Sequence, residues 1–237
     1  MRSLWTAFKF LAAFPWPRRV TTTPQEIGQS TPFFPLVGFF LGLILVLFNR
    51  ILEPYMESEI LGVVLVVLLM LLTRARHLEG LGETFDAIGS RAGRDPTKSS
   101  SIGIFGFLAV MVVIMLKFRA IEVMGEVRGQ GLLLAPVLSR WSMVISAYGS
   151  RPNQEGTGRI MVKQVRGRHL LWATALTLVL VILIAGSLGL WIALWVSLLA
   201  LIAGLYFYRR FGGVSGDNFG AIAEIGEALA MVLFASL

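Results

Sequence analysis

The amino-acid sequence predicts an all-α fold: a polytopic helical membrane protein of about seven transmembrane helices, with a short interfacial helix at its N-terminus. Three observations predict it. Of 237 residues, 56% are hydrophobic and 15% charged, and the mean hydropathy is +0.75; soluble domains run at about 45–50% apolar and about 25% charged. The apolar residues collect in long runs between polar loops. The loops carry their positive charge unevenly. This composition excludes an ordinary soluble enzyme, a disordered regulator and a disulfide-stapled secreted scaffold. With no cysteine in the chain, thiolate metal sites and thiol nucleophiles are excluded too. The chain reads as one integral membrane domain, residues 1–237.

Each element follows in order. Leu4, Trp5, Phe8, Leu11 and Ala12 stand at helical spacing, with Lys9 interrupting the apolar run. That pattern predicts an interfacial helix over 3–14 and argues against a signal peptide. The first strong apolar run is 33–48. The second, 60–72, has 13 residues, short of the about 20 that cross a bilayer. It must extend into its flanks, tilt, or be covered at its ends. The third is 102–116, and a more mixed stretch at 131–148 contains Arg140. Residues 170–208 hold 39 positions without a charge, enough for two passes, with Ala185-Gly186-Ser187-Leu188-Gly189 as the expected turn. The last run, 219–237, contains Glu224 and Glu227.

With the N-terminus inside, segments 1–32, 73–101, 149–168 and 209–218 carry 16 of the 21 Lys and Arg. The positive-inside rule therefore places those segments on the cytoplasmic face, and 49–59 and 117–130 outside. The net charge of +7 is read as topology and attraction to anionic lipid, not as a nucleic-acid surface. Membrane lipid is an expected partner and nucleic acid is not.

The sharpest chemical signal is His77-Leu78-Glu79-Gly80-Leu81-Gly82-Glu83-Thr84-Phe85-Asp86. On a helix Glu79, Glu83 and Asp86 fall within an arc of about 60°. Three carboxylates on one stripe repel unless a cation sits among them, and Mg²⁺ favours one or two carboxylates plus phosphate oxygens. The plain alternative is a solvated acidic face. His77 falls on the opposite side of that helix. A second signal is Gly212-Gly213-Val214-Ser215-Gly216-Asp217-Asn218-Phe219-Gly220. Asp217 opens the last span as a further candidate metal ligand, with Glu224 seven residues on. Gly213 and Gly216 suit either a phosphate approaching the backbone or close helix packing. Arg140, inside a span, requires an anionic partner from the protein or from a phosphate. Glu155-Gly156-Thr157-Gly158 lies in a basic loop that could hold an anion or be only a cytoplasmic loop. No Ser-His-acid triad can be argued from spacing.

These pieces, in this order, resemble the cobalamin synthase family. The resemblance begins at Phe10-Leu11-Ala12-Ala13-Phe14-Pro15-Trp16-Pro17 and continues at Phe34-Pro35-Leu36-Val37-Gly38. It passes through the 77–86 motif, then Ser100-Ser101-Ile102-Gly103-Ile104-Phe105-Gly106, Ser139-Arg140 and Glu155-Gly156-Thr157-Gly158. The 212–220 motif with Ala221 closes it. The chain departs from the family pattern at Glu79 and Glu83, where aspartate is usual. It departs again at Ala87 (glycine), at Ser99 and Ser101 (an acid and a base), and at Ser215 (threonine).

The resemblance implies transfer chemistry. Adenosylcobinamide-GDP is joined to alpha-ribazole or its 5′-phosphate, and GMP is released. It implies Mg²⁺ held by Glu79, Glu83, Asp86 and Asp217, and catalytic roles for Asp86, Glu83 and Arg140. Gly213, Gly216 and Glu155 would contact the phosphates. It places the chain in the cell inner membrane with its catalytic loops cytoplasmic, and admits a homo-oligomer. Two other readings are a transporter using Glu224, Glu227 and Arg140 as an ion relay, and a CDP-alcohol-type phosphotransferase.

Overall fold

The computed structural model describes residues 2–12, 23–89, 102–151 and 157–237. Every element among them is helical apart from turns and a single bridge residue. In chain order they are α1 (Arg2–Leu11), α2 (Pro24–Ser30), α3 (Phe34–Leu52), α4 (Ser58–Thr73), α5 (Arg76–Gly89), α6 (Ile104–Val123), α7 (Arg128–Gly149), α8 (Thr157–Gln164), α9 (Gly167–Phe211) and α10 (Gly216–Ser236). Five helices among the described residues are long and apolar enough to cross a membrane, or six if α4 and α5 count as one bent span. The expected count of seven is not reached on that measure, because α9 counts once.

The sequence of α9 explains the difference. At 45 residues it would be about 67 Å long if straight, twice a bilayer core. It breaks at Gly186 (φ 54°, ψ −131°), a conformation that L side chains rarely adopt. Both limbs then return to the same end of α7. Near the start of α9, Trp141 Nε1 of α7 donates to Thr174 Oγ1 at 3.0 Å. Near its end, a Cβ built on Gly204 would meet Ser150 Oγ at 2.8 Å. The turn expected at 185–189 is therefore present, and α9 is a hairpin. Its outward faces carry exposed Leu171, Trp172, Leu183 and Ile202.

α7 is the axis of the bundle. From Leu134 to Ala147 every residue is buried, with α3, α9 and α10 packed around it. Short α4 answers the 13-residue problem by bending. Its 16 residues rise about 24 Å. The chain then turns 90° into α5 through Arg74 (φ 54°) and Ala75 (φ 52°). Left-handed conformations at non-glycine residues cost about 1–2 kcal/mol each. Local hydrogen bonds offset this: Ala75 N donates to Met70 O at 2.9 Å and Thr73 Oγ1 to Leu69 O at 2.9 Å.

The loops sort as their charges predict. At one end Arg128 Nη2 donates to Ser58 Oγ at 2.5 Å, and Ser58 Oγ donates to Glu122 O at 3.0 Å. At the other end Arg2 pairs with Glu26 at 2.7 Å, Val214 N donates to Arg151 O at 3.1 Å, and α5 lies against the start of α10. One boundary differs. Lys117, expected in an outer loop, lies inside α6, which runs on to Val123.

Candidate active site at the α5–α10 crossing

The site is built by two backbones in contact. A Cβ on Gly80 of α5 would stand 2.8 Å from Asp217 O and 3.0 Å from Asp217 Cα. A Cβ on Gly220 of α10 would stand 3.0 Å from His77 O. Only glycine permits this crossing. The polar end of α10 is shaped by a reciprocal cap. Ser215 Oγ accepts from Asn218 N at 3.2 Å, and Asn218 Oδ1 accepts from Ser215 N at 2.9 Å. Asn218 then reaches across, its Nδ2 donating to Thr84 Oγ1 at 3.1 Å.

The result is that Glu83 and Asp217, 134 positions apart in the chain, adjoin. Glu79 lies one turn back on α5, close enough to act on both. Glu79, Glu83 and Asp217 are exposed. α5 is amphipathic and turns away from the bundle direction, so these acids stand at the end of the bundle. Partial loss of water at its carboxyl pushes Glu83 above its ordinary range, and the charges of Asp217 and Glu79 push it the same way. Close to them, α8 and α10 begin side by side: a Cβ on Gly158 would stand 2.9 Å from Ser215 Cα. Two helix N-termini at one place favour an anion. Gly216 is half-buried at this junction and Gly213 is buried just before it. Glu155 lies outside the described residues.

The other sequence-predicted residues sit elsewhere. Asp86 is buried and turned to α6, accepting from Gly103 N at 2.5 Å and Gly106 N at 2.8 Å. It caps that helix with both carboxylate oxygens. The shared arc on α5 therefore does not bring Asp86 into one cluster with Glu83. Arg140 is buried on α7, where Nη1 donates to Glu227 Oε2 and to Ser139 Oγ. Glu227 is ten residues beyond Asp217, about 15 Å along α10. Arg140 thus answers an acid inside the bundle and does not face the Glu83–Asp217 pair.

Lys117, and Asn218 within the 212–220 motif, have roles that the sequence pattern does not single out. Lys117 Nζ donates to Glu224 Oε2 at 2.5 Å and to Glu227 Oε1 at 2.7 Å, and the lysine is 3% exposed. The signal was available: two glutamates within one span need two cations, and Arg140 supplies one. Among the described residues no three His, Cys, Asp or Glu side chains group closely enough to hold a metal ion alone. Glu83 and Asp217 still fit a hard cation that takes its remaining ligands from phosphate and water, the usual habit of Mg²⁺.

Residues 3–235 match the pattern of the family described as cobalamin-5-phosphate synthase. The chain belongs to that family. A relative from Syntrophobacter fumaroxidans, named adenosylcobinamide-GDP ribazoletransferase, is 37% identical over 245 residues, with 95% of each chain covered. One of the same name from Geotalea daltonii is 30% identical over 242 residues, covering 100% of this chain and 98% of its own. A third, from Pseudomonas putida, is 34% identical over 246 residues, with 98% of each covered. No solved structure matches the chain. In this member of the family the α5 motif and the α10 motif lie against each other, Gly80 on Asp217 and Gly220 on His77.

Proposed function

We propose that the chain is an adenosylcobinamide-GDP ribazoletransferase, joining adenosylcobinamide-GDP to alpha-ribazole or its 5′-phosphate with release of GMP. The observation that carries this reading at residue level is the meeting of Glu83 and Asp217 beside two helix N-termini. In the reaction a hydroxyl oxygen of the ribazole forms a bond to the corrinoid-side phosphorus. The P–O bond to GMP breaks, and GMP leaves with the electron pair. Little covalent chemistry is asked of the protein. Positioning and charge neutralisation lower the barrier.

The residues divide the work. The starts of α8 and α10 receive phosphate oxygens through backbone N–H groups. One of the acids takes the proton of the attacking hydroxyl. Glu83 and Asp217 would hold Mg²⁺, which when bound would neutralise charge on the pyrophosphate, with Glu79 adding negative charge one turn back on α5. Asp86 holds α6 against α5 so that the acidic face keeps its place. Glutamate at 79 and 83 extends each carboxylate by a methylene relative to the usual aspartate, so this member holds its cation farther from the α5 backbone. The positive loops and the site face the cytoplasm, and the apolar faces of α9 contact lipid of the inner membrane.

The ion-relay reading loses its motive, since Lys117, Arg140, Glu224 and Glu227 neutralise one another. The test is GMP release by the purified chain in detergent or bilayer. Release requires both substrates and Mg²⁺. Release from a CDP-linked lipid instead, as CMP, would identify the other phosphotransferase chemistry. Turnover unchanged in excess chelator would remove the metal.

A further inference from the structure

The charge cluster inside the bundle contains polar atoms that the protein itself does not satisfy. Arg140 is 1% exposed. Its Nη1 serves Ser139 and Glu227, while Nε and Nη2 have no partner among the described residues. These two nitrogens form the side-on edge of the guanidinium, where two N–H bonds run parallel toward one place. His77 is 7% exposed, and its Nδ1 likewise has no partner among the described residues. Its backbone rests on Gly220, one turn before Glu224 on α10. The imidazole therefore lies in the field of Arg140, Glu227 and Lys117.

Unmatched donors at this depth are costly, and native interiors satisfy them with protein groups or ordered water. Formal charge decides what the site takes. Lys117 and Arg140 bring two positive charges, and Glu224 and Glu227 two negative ones. The set is already neutral. An anion on the free edge of Arg140 would leave a charge uncompensated inside the membrane. A cation would be repelled by the guanidinium. A neutral group that accepts from two N–H bonds and donates in return meets the requirement. Water does this with about three hydrogen bonds, its usual number when buried.

We propose that a buried water molecule sits on the Nε–Nη2 edge of Arg140 and donates a hydrogen bond to Nδ1 of His77. The bond keeps His77 neutral, with its proton on Nε2. It ties α5 to α7 inside the bundle. His77 is then a positioning residue for α5 and not a ligand of the cation. This inference is independent of the reaction proposed above.

The test is a crystal structure of the full chain in a lipidic phase, resolved well enough to show ordered water, with ¹⁵N-histidine NMR alongside. One solvent peak should lie within hydrogen-bonding distance of Arg140 Nε, Arg140 Nη2 and His77 Nδ1. The ¹⁵N spectrum should show a neutral imidazole protonated at Nε2. A bromide soak should leave no anomalous peak there. His77→Asn keeps an acceptor near the Nδ1 position and should keep the water and the melting temperature; His77→Phe should lose the water and melt several degrees lower. A bromide peak, a direct Arg140–His77 contact, a bare edge, or identical behaviour of the two variants would overturn the proposal.

Discussion

Asn218 donates from Nδ2 to Thr84 Oγ1 across 3.1 Å, a buried side-chain hydrogen bond that joins α10 to α5. The same side chain closes the cap of α10 through Oδ1. It therefore couples the start of α10 to the helix that carries Glu79 and Glu83. It adds a side-chain tie to the Gly80 and Gly220 contacts that set Asp217 against Glu83.

Asn218→Ala should remove both functions. Half of the reciprocal cap is lost while Ser215 Oγ keeps its backbone donor, so that part costs less than the about 0.5–2 kcal/mol of a whole cap, and the lost buried hydrogen bond leaves Thr84 without its donor at about 1–3 kcal/mol. GMP release should fall at least about tenfold, because a misplacement of about 1 Å at a positioned site can cost about a hundredfold. Thr84→Val should reproduce the part due to the cross-helix bond. A double-mutant cycle on melting temperature in detergent measures the coupling, expected at about 0.5–3 kcal/mol. Strict additivity would mean that the two residues act separately.

Asp217→Asn and Glu83→Gln each remove one charge from the adjoining pair. Each should raise the Mg²⁺ concentration needed for half-maximal GMP release and lower the maximum by about 10²–10³. Melting temperature without metal should hold steady or rise, because like charges at close range are relieved. An unchanged Mg²⁺ requirement would remove these two acids from the metal site.

Asp86→Asn separates a cap from a metal ligand. The amide keeps one acceptor oxygen for Gly103 N or Gly106 N and loses the other. Stability should fall by about 0.5–2 kcal/mol, the value of a helix cap. Turnover should fall with it, while the Mg²⁺ requirement stays that of the unmodified chain. A large shift in metal requirement at unchanged stability would return Asp86 to the metal set.

Lys117→Met leaves Glu224 and Glu227 facing Arg140 alone. An uncompensated buried charge costs about 3–5 kcal/mol, so the variant should melt far lower or fail to assemble. Lys117→Met combined with Glu224→Gln restores neutrality and should recover most of the loss. Thermal unfolding of the two variants in the same detergent checks the sign.

Much of this protein is local information and is legible in its residues. The uncharged stretch at 170–208 and the glycines within it require a hairpin whatever surrounds them, since 39 apolar residues overrun one bilayer and a left-handed break needs glycine. Short 60–72 had to bend or be covered. The positive loops had to share a face. The motifs at 77–86 and 212–220 mark the candidate site by their carboxylates and glycines, and the crossing of α5 and α10 brings them together.

What each acid does was decided only in three dimensions. Glu79, Glu83 and Asp86 share a helical arc, yet Asp86 is drawn to the free N–H groups at the start of α6, and Asp217 takes its place beside Glu83. Arg140 requires an anion from its sequence context, but only the bundle chooses Glu227 over a phosphate. Lys117 reads as the end of a span until α10 brings two glutamates to it. Helical periodicity fixes where side chains leave their own helix. Which neighbour they meet depends on how backbones cross, and that is set by the contacts of Gly80 and Gly220, far apart in the chain.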